Sequence, residues 1–260
     1  MKLRSLLLTG LPVLLLALLA YAPAATLKGW LQPKDQPPAA ELFGIEGTLV
    51  AGRVDGVVIG GRTVVADLHW QLRPLQLLLG RIGWTLDAGK DPILFNGQAS
   101  MSALGTLRLA DFRANAGLPA LLGSLGYFLP FDGQAGLDFS RLVARGRQLQ
   151  QAEGSVQLQG LAWALGPNRT PLGDFRADVT TTDEGDVIAK LASVSGPLEL
   201  SGEARLKPDQ SYDTHLQMKP KPGAPPMLQN MLTQMGAPDP QGYYHLTRQG
   251  SLAPPQPAAP

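Results

Sequence analysis

Apolar and polar residues alternate along most of the chain beyond residue 42, and this pattern restricts the fold more than any other feature of the sequence. Residues 63–72 show it clearly, because Val64, Leu68 and Trp70 fall on one face and polar residues such as His69 fall opposite. Successive side chains of a β-strand point to opposite faces, so this spacing predicts strands with one apolar and one solvated side.

The same alternation recurs in later segments, which are separated by turn-forming residues. It covers residues 154–160, 175–179, 187–191, 198–207 and 212–218. Asp183-Glu184-Gly185 and Lys207-Pro208-Asp209 have the composition of tight turns, which predicts three consecutive hairpins. Hairpins join antiparallel strands. The predicted fold is therefore mainly β: a long curved antiparallel sheet, as a meander or a partial barrel, with a few short covering helices.

Composition supports an exported β protein and argues against a nucleic-acid partner. The 30 glycines and 23 prolines indicate many turns, and the chain contains no cysteine for disulfides or thiolate metal sites. A net charge of +1 with interspersed acids and bases lacks the basic stripe that binds phosphates. The length allows one all-β domain or two small ones, and we expect one continuous domain.

Three segments interrupt the alternation and predict short helices. They begin at Pro74, Leu118 and Pro225, and Gly80 is positioned to end the first. The third carries apolar residues near helical spacing, and we treat these as a candidate partner contact because thioethers adapt to irregular surfaces. They are Met227, Leu228, Met231, Leu232 and Met235. The other interpretation is that this stripe covers one end of a sheet.

The amino terminus predicts a membrane anchor. Lys2 and Arg4 precede an apolar run from Leu6 to Ala25, which is long enough to cross a bilayer. Because basic residues favour the cytoplasmic side, this flank predicts that the rest of the chain lies on the other side of the inner membrane. The predicted anchor residues are Leu6, Leu7, Leu8, Leu11, Val13, Leu14, Leu15, Leu16, Leu18 and Leu19. A cleaved secretory signal is the alternative, and it also exports the chain. The predicted organisation is an N-terminal transmembrane helix (residues 1–27), a Pro-rich linker (28–41), a periplasmic β domain (42–250) and a disordered Pro-rich tail (251–260).

A search for catalytic or metal-binding chemistry nominates no residue. The three histidines, His69, His215 and His245, are far apart and are expected on solvated strand faces. Ser124 lies in a helical stretch, without the strand that a nucleophile elbow requires. The acids around Gly185 are expected to form a hairpin turn rather than a cation site. We therefore predict no catalytic residues, no cofactor and no bound metal.

Four segments carry a resemblance to a known family. They are Gly47-Thr48-Leu49-Val50-Ala51-Gly52, Leu68-His69-Trp70-Gln71-Leu72-Arg73-Pro74-Leu75, Pro171-Leu172-Gly173-Asp174-Phe175, and Gly236 with Asp239-Pro240-Gln241-Gly242-Tyr243 before Gly250. In their order and in total length, the chain resembles the protein N family of the bacterial type II secretion system. The first segment departs from the family pattern, since Val50 stands where Trp is usual.

The resemblance implies a non-catalytic, inner-membrane-anchored periplasmic accessory component of the machine that exports folded proteins. Its expected partners are other type II secretion components, reached through strand edges or the Met-rich helix, and the membrane through the N-terminal helix. The alternative is a lipid-binding or lipid-transfer module similar to the AsmA-like envelope proteins, because one-sided strands outnumber covering helices. A cleaved periplasmic enzyme would need a polar cluster that the sequence does not nominate.

Overall fold

The structure, a computed structural model, describes residues 41–59, 61–124, 126–146, 148–165 and 168–252. The predicted anchor, including its residues from Leu6 to Leu19, lies outside the described residues, as do residues 28–40 of the predicted linker and 253–260 of the predicted tail. Of the helices within the described ranges, none combines the length and the apolar character needed to span a membrane.

Thirteen β-strands account for most of the described residues, as the period-two pattern predicts. They are β1 (Glu41–Gly47), β2 (Ala51–Ile59), β3 (Arg62–Leu72), β4 (Arg81–Lys90), β5 (Ile93–Ser102), β6 (Thr106–Gly117), β7 (Phe131–Arg145), β8 (Gln148–Leu165), β9 (Asn168–Thr181), β10 (Val187–Ser195), β11 (Leu198–Leu206), β12 (Ser211–Pro220) and β13 (Tyr244–Ser251).

The strands form one antiparallel sheet in which spatial order follows chain order from β1 to β13. Each of the three predicted hairpins is present: β9 pairs with β10, β10 with β11, and β11 with β12. The predicted antiparallel meander is therefore confirmed. Within the described part of the chain the sheet is open, with β1 and β13 as its end strands.

Short helices lie in three of the connections between strands, where the sequence predicts them. Pro74–Leu79 form a short 3₁₀ helix between β3 and β4, called the 3₁₀ turn below, and Gly80 ends it in the left-handed conformation with φ 67°. Helix α1 (Leu118–Ser124) joins β6 to β7, and helix α2 (Pro226–Thr233) lies between β12 and β13. Helix α2 ends two residues before Met235, so the predicted segment is shortened at its carboxyl end.

The chain divides into two compact units, with the boundary between Ser100 and Met101. Unit 1 contains β1 to β4, the 3₁₀ turn and most of β5. Its core is built around buried Val54 and Trp70, and six half-buried apolar residues pack against this pair. They are Leu42, Ile45, Val57, Leu68, Trp84 and Leu86. Trp70 and Leu68 thus occupy the dry face that the alternation assigns to them.

Unit 2 contains β6 to β13 and both α-helices, and its largest buried cluster lies beneath α2. Leu228 and Leu232 of α2 pack there with residues of β9, β11, β12 and β13. These strand residues are Leu172, Phe175, Leu198, Met218 and Tyr244. A separate cluster joins Ala152, Val179 and Val187 of β8, β9 and β10. Unit 2 therefore covers part of one sheet face with a helix, as the sequence predicts.

Two acidic residues lie deeper than the alternation predicts, because each has a cationic partner. Asp67 of β3 adopts φ 53° and is half-buried, with Oδ2 2.8 Å from Lys90 Nζ. Asp186 is one of the acids expected in the hairpin turn around Gly185, yet it is buried, and its Oδ2 lies 3.4 Å from Arg205 Nη1. A buried carboxylate requires a partner, and in both cases the partner comes from the neighbouring strand or the next one.

Candidate interaction surface

Helix α2 presents two different faces, and only one of them is available to a partner. Leu228 and Leu232, one turn apart, are 1% and 3% exposed in the cluster below the helix. Met227 and Met235 are 48% and 44% exposed, and Met231 is half-buried. Within the candidate partner contact, Leu228 and Leu232 therefore lie in the core cluster, and the three methionines are the accessible members.

The sequence starts α2 with proline and covers its inner face with leucine. Pro226 occupies the first turn, where its missing N–H removes no helical hydrogen bond. Residues four apart share a helix face, so Leu228 and Leu232 point together, and Met227 and Met231 form the adjacent stripe. The helix thus holds its methionines at the surface because its leucines are fixed beneath.

Further apolar side chains are exposed at the same strand end of unit 2. In an antiparallel meander successive connections alternate between the two ends, so the β6–β7, β8–β9 and β12–β13 connections share one end. Tyr127, Phe128 and Leu129 precede β7 and are exposed, and so is Leu165 at the end of β8. The backbone of this loop is held in place, because Ala164 N donates to Pro130 O at 2.8 Å.

We call this surface the apolar rim. It consists of Tyr127, Phe128, Leu129, Leu165, Met227, Met231 and Met235. Phe131, two residues after Leu129, packs its ring edge-on against Trp163 with centroids 5.1 Å apart and also lies against the cluster beneath α2. Sequence reasoning misses residues 127–129, although an aromatic pair directly after a predicted helix is a signal that could have identified them.

The first two segments that carry the family resemblance meet at Trp70 in unit 1. The indole Nε1 of Trp70 donates to the carbonyl oxygen of Thr48 at 3.1 Å. The Thr48 hydroxyl oxygen in turn accepts from the backbone N–H groups of Val50 and Ala51, each at 3.2 Å, which fixes the turn. A Cβ added to Gly52 would overlap the indole ring, so the glycine makes room for it. These residues serve packing and turn formation.

The third segment supports the cluster beneath α2. Leu172 and Phe175 are buried in that cluster, and Gly173 between them adopts φ 125° where its backbone lies against Ser195 and Gly196, at the end of the neighbouring strand β10. Asp174 Oδ1 accepts from Gly160 N at 2.7 Å, and its Oδ2 accepts from the Ser195 hydroxyl at 2.5 Å. The Ser195 hydrogen bond, followed by that from Gly160, lowers the pKa of Asp174 below its ordinary value.

The fourth segment is a loop closed by Asp239. One carboxylate oxygen accepts from the backbone N–H groups of Gln241 and Tyr243, at 2.9 and 2.8 Å, and the other lies 2.8 Å from His245 Nε2. The His245 hydrogen bond is the largest effect that lowers the pKa of Asp239. Tyr243 donates its hydroxyl to Glu199 at 3.0 Å, and this bond raises the pKa of Tyr243.

Replacing Asp174 with asparagine is expected to destabilise the protein only where the carboxylate is charged. Because the pKa of Asp174 is lowered in the folded state, its carboxylate stabilises the fold at pH values above the ordinary aspartate pKa. This stabilisation is lost as the pH falls through the pKa of Asp174 in the folded state. The difference in free energy of unfolding between wild type and Asp174→Asn should therefore be constant above about pH 5 and shrink below about pH 4. Urea denaturation at a series of pH values measures it.

Ser195→Ala is the matched variant for this test, because the Ser195 hydroxyl makes the largest contribution to the lowered pKa. It should reduce the pH-dependent part of the difference while leaving the Gly160 hydrogen bond in place. A difference that stays the same from pH 3 to pH 7 would show that the charge of Asp174 contributes nothing to folding.

The remaining polar residues singled out in the sequence are separate from one another. The side chains of His69, His215 and His245 are all exposed, as predicted, and each lies near an aspartate on its own strand or in the loop before that strand. The Ser124 hydroxyl donates to the carbonyl oxygen of Leu121 at 2.7 Å. In the part of the chain that the structure describes, no three His, Asp or Glu side chains are grouped to hold a metal ion.

Comparison with known proteins identifies the family. The family model described as Type II secretion system (T2SS), protein N matches residues 38–247. The chain is 28% identical to Type II secretion system protein N of Vibrio cholerae serotype O1 over 253 residues, which cover 92% of this chain and 95% of that protein. It is 27% identical to Type II secretion system protein N of Aeromonas hydrophila over 220 residues, covering 83% and 86%. No solved structure gives a significant match.

The matched range contains the four segments on which the resemblance rests, up to Tyr243. Two of these segments build the Trp70 turn of unit 1, and the other two lie at and beside the cluster beneath α2. The resemblance predicted from the sequence is confirmed: the chain belongs to the protein N family of the type II secretion system.

Proposed function

We propose that the chain is a non-catalytic, inner-membrane-anchored periplasmic accessory component of the type II secretion system, and that the apolar rim of unit 2 binds another component of that machine. Family membership supports the link to secretion. The N-terminal apolar run with its basic flank supports the anchor and the orientation. The assignment of the apolar rim as a binding surface comes from the hydrogen bonds and the exposure of the described side chains.

The proposal rests on one observation: the polar side chains of the family segments make internal hydrogen bonds, whereas the apolar side chains of the rim are exposed. The polar residues in the family segments stabilise turns and loops: Thr48, Asp174 and Asp239 each accept hydrogen bonds from nearby backbone N–H groups. Apolar residues of the rim, in contrast, are left at the surface. An exposed apolar group at one end of a domain is typical of a protein interaction site rather than of a reaction centre.

The methionines suit such a contact. Their unbranched side chains adapt to the shape of a partner, and the leucines beneath them keep the helix in place. A partner that covers Met227 and Met235 would remove apolar surface from water, which is the main driving force of protein association. The neighbouring aromatic residues at 127–128 would extend the same surface, since aromatic side chains often anchor interfaces.

Site-specific crosslinking tests this proposal. The full chain, carrying a photoreactive amino acid in place of Met227, is expected to crosslink to a type II secretion component in cells that assemble the apparatus. The control position is Glu184, which is exposed in the turn at the far end of β9 from α2. Capture at Met227 but not at Glu184 supports the proposal. Equal capture at both positions, or none while the apparatus is assembled, contradicts it.

One observation favours the AsmA-like alternative as a second candidate. The described residues supply two α-helices and one 3₁₀ turn to cover thirteen strands. Several strand residues remain exposed or partly so, including Ile82, Leu94, Met101 and Leu107. Mass spectrometry of the purified chain would distinguish the candidates: phospholipid retained in fixed proportion to protein supports lipid handling, and its absence supports the secretion role alone.

A further inference from the structure

The 3₁₀ turn of unit 1 exposes three leucines that the fold does not use. Leu75, Leu78 and Leu79 are 76%, 84% and 67% exposed, and no residue of this turn is buried. Ile82, just after it on β4, is also exposed. We call Pro74–Leu79 the leucine turn. A cluster of leucines on a single turn is unusual for a surface that faces only water.

Backbone contacts hold the leucine turn in place. Arg73 N donates to the carbonyl oxygen of Gly83 at 2.7 Å, and Gln76 packs over Gly83, where a Cβ would crowd its side chain. Gly80 closes the turn with its N–H directed to the carbonyl oxygen of Leu77 at 3.0 Å. The position of the turn is therefore set without its exposed leucines, which leaves them available for a contact outside unit 1.

The charged residues that flank the leucine turn in the sequence are positive. No acidic residue occurs in the sequence between Asp67 and Asp87, whereas Arg73 and Arg81 flank the turn on either side. The Arg73 guanidinium donates to the side-chain oxygen of Gln98, a neutral group, and so keeps its net charge. Exposed leucines flanked by arginines suit the surface of an anionic phospholipid bilayer. There the leucine side chains can enter the region between headgroups and acyl chains, and the guanidinium groups can bind the anionic headgroups.

The length of chain outside the described residues allows this contact. Strand β1 enters at Glu41 and runs toward the end of unit 1 at which β3 leads into the leucine turn. Residues 28–40 can extend to about 45 Å, whereas the seven residues of β1 span about 23 Å. A chain anchored before residue 28 could therefore enter β1 at a distance from the bilayer. Strand β1 would then run back toward the bilayer, and the leucine turn would lie at the bilayer surface.

We propose that the leucine turn inserts its three leucines into the surface of the anionic phospholipid bilayer that holds the N-terminal anchor. This inference rests on the proposed function for the anchor, and it adds a second lipid contact made by the folded domain. A protein partner is less suited, because specific protein interfaces cover about 800 Å² on each side, and three leucines on one turn form a small projection.

The test measures where a label at position 78 resides. The chain contains no cysteine, so the full-length variant Leu78→Cys can be labelled at one place with an environment-sensitive fluorophore. In vesicles of phosphatidylethanolamine and phosphatidylglycerol that contain a spin-labelled quencher lipid, we expect its fluorescence to be quenched at least about twofold more than that of Thr63→Cys. Thr63 is exposed and lies about 30 Å away at the other end of β3.

A second variant tests the leucines themselves. Adding Leu75→Asp and Leu79→Asp to Leu78→Cys should abolish the excess quenching, and the exposure of both leucines means that the fold should be unaffected. If the protein floats with the vesicles but neither label is quenched, the lipid contact of the leucine turn is overturned and the proposed N-terminal anchor stands. A protein that fails to float with vesicles would overturn both. A label shielded only after secretion components are added would show a protein contact instead.

Discussion

Leu228→Ala is expected to lower the free energy of unfolding by about 2–5 kcal/mol, the range observed when a buried leucine is replaced by alanine. Leu228 is 1% exposed and lies among Leu172, Phe175 and Tyr244, so truncation leaves a cavity bounded by strands that cannot easily close it. Because the same side chain fixes α2 on the sheet, its loss should also loosen the methionines of the apolar rim. Urea denaturation followed by circular dichroism measures the change.

Met227→Ala is the matched control, since Met227 precedes Leu228 in the chain and is 48% exposed. Its effect on the free energy of unfolding should stay within about 0.5 kcal/mol. The pair separates two roles of one helix: the leucine stabilises the fold, and the methionine is available to a partner. If the two substitutions destabilised the protein equally, α2 would not be packed as the structure has it, and the apolar rim would need to be redefined.

Much of the fold can be predicted from the sequence because its information is local. The alternation around Trp70 identifies β3 and its dry face, and the turn around Gly185 identifies the β9–β10 hairpin. In a meander each strand pairs with its neighbours in the chain, so recognising the hairpins recovers the strand order as well. Two of the short helices follow from Pro74 and Pro225 for the same reason, since proline suits the start of a helix.

The burial of individual residues is harder to predict because it depends on distant parts of the chain. The leucine turn and α2 have similar sequences, each with proline followed by closely spaced large apolar residues, yet the first is exposed and the second covers a cluster. The difference arises from strands β9, β11, β12 and β13, which supply apolar residues beneath α2. Asp186 is buried for a related reason, because Arg205 arrives from β11 to pair with it.

The largest effect expected in unit 1 is that of Trp70→Ala, which should cost about 3–5 kcal/mol of unfolding free energy. Trp70 is buried with Val54, and its indole N–H is bonded to Thr48. Trp70→Phe should retain most of the packing and lose mainly the hydrogen bond, worth about 1 kcal/mol. Gln71→Ala, at an exposed neighbouring position, should have little effect and serves as the control.

Gly52→Ala tests whether the turn and the indole form one packing unit. The backbone of Gly52 lies outside the left-handed region, so alanine is conformationally allowed there, and its methyl group would meet the indole of Trp70 and the carbonyl oxygen of Glu46. We expect a loss of about 1–3 kcal/mol from this overpacking. With Trp70→Ala present, part of that loss should disappear, because the ring no longer occupies the space. Strict additivity of the two changes would contradict the contact, and the Thr48–Gly52 turn would then owe its shape to its own hydrogen bonds alone.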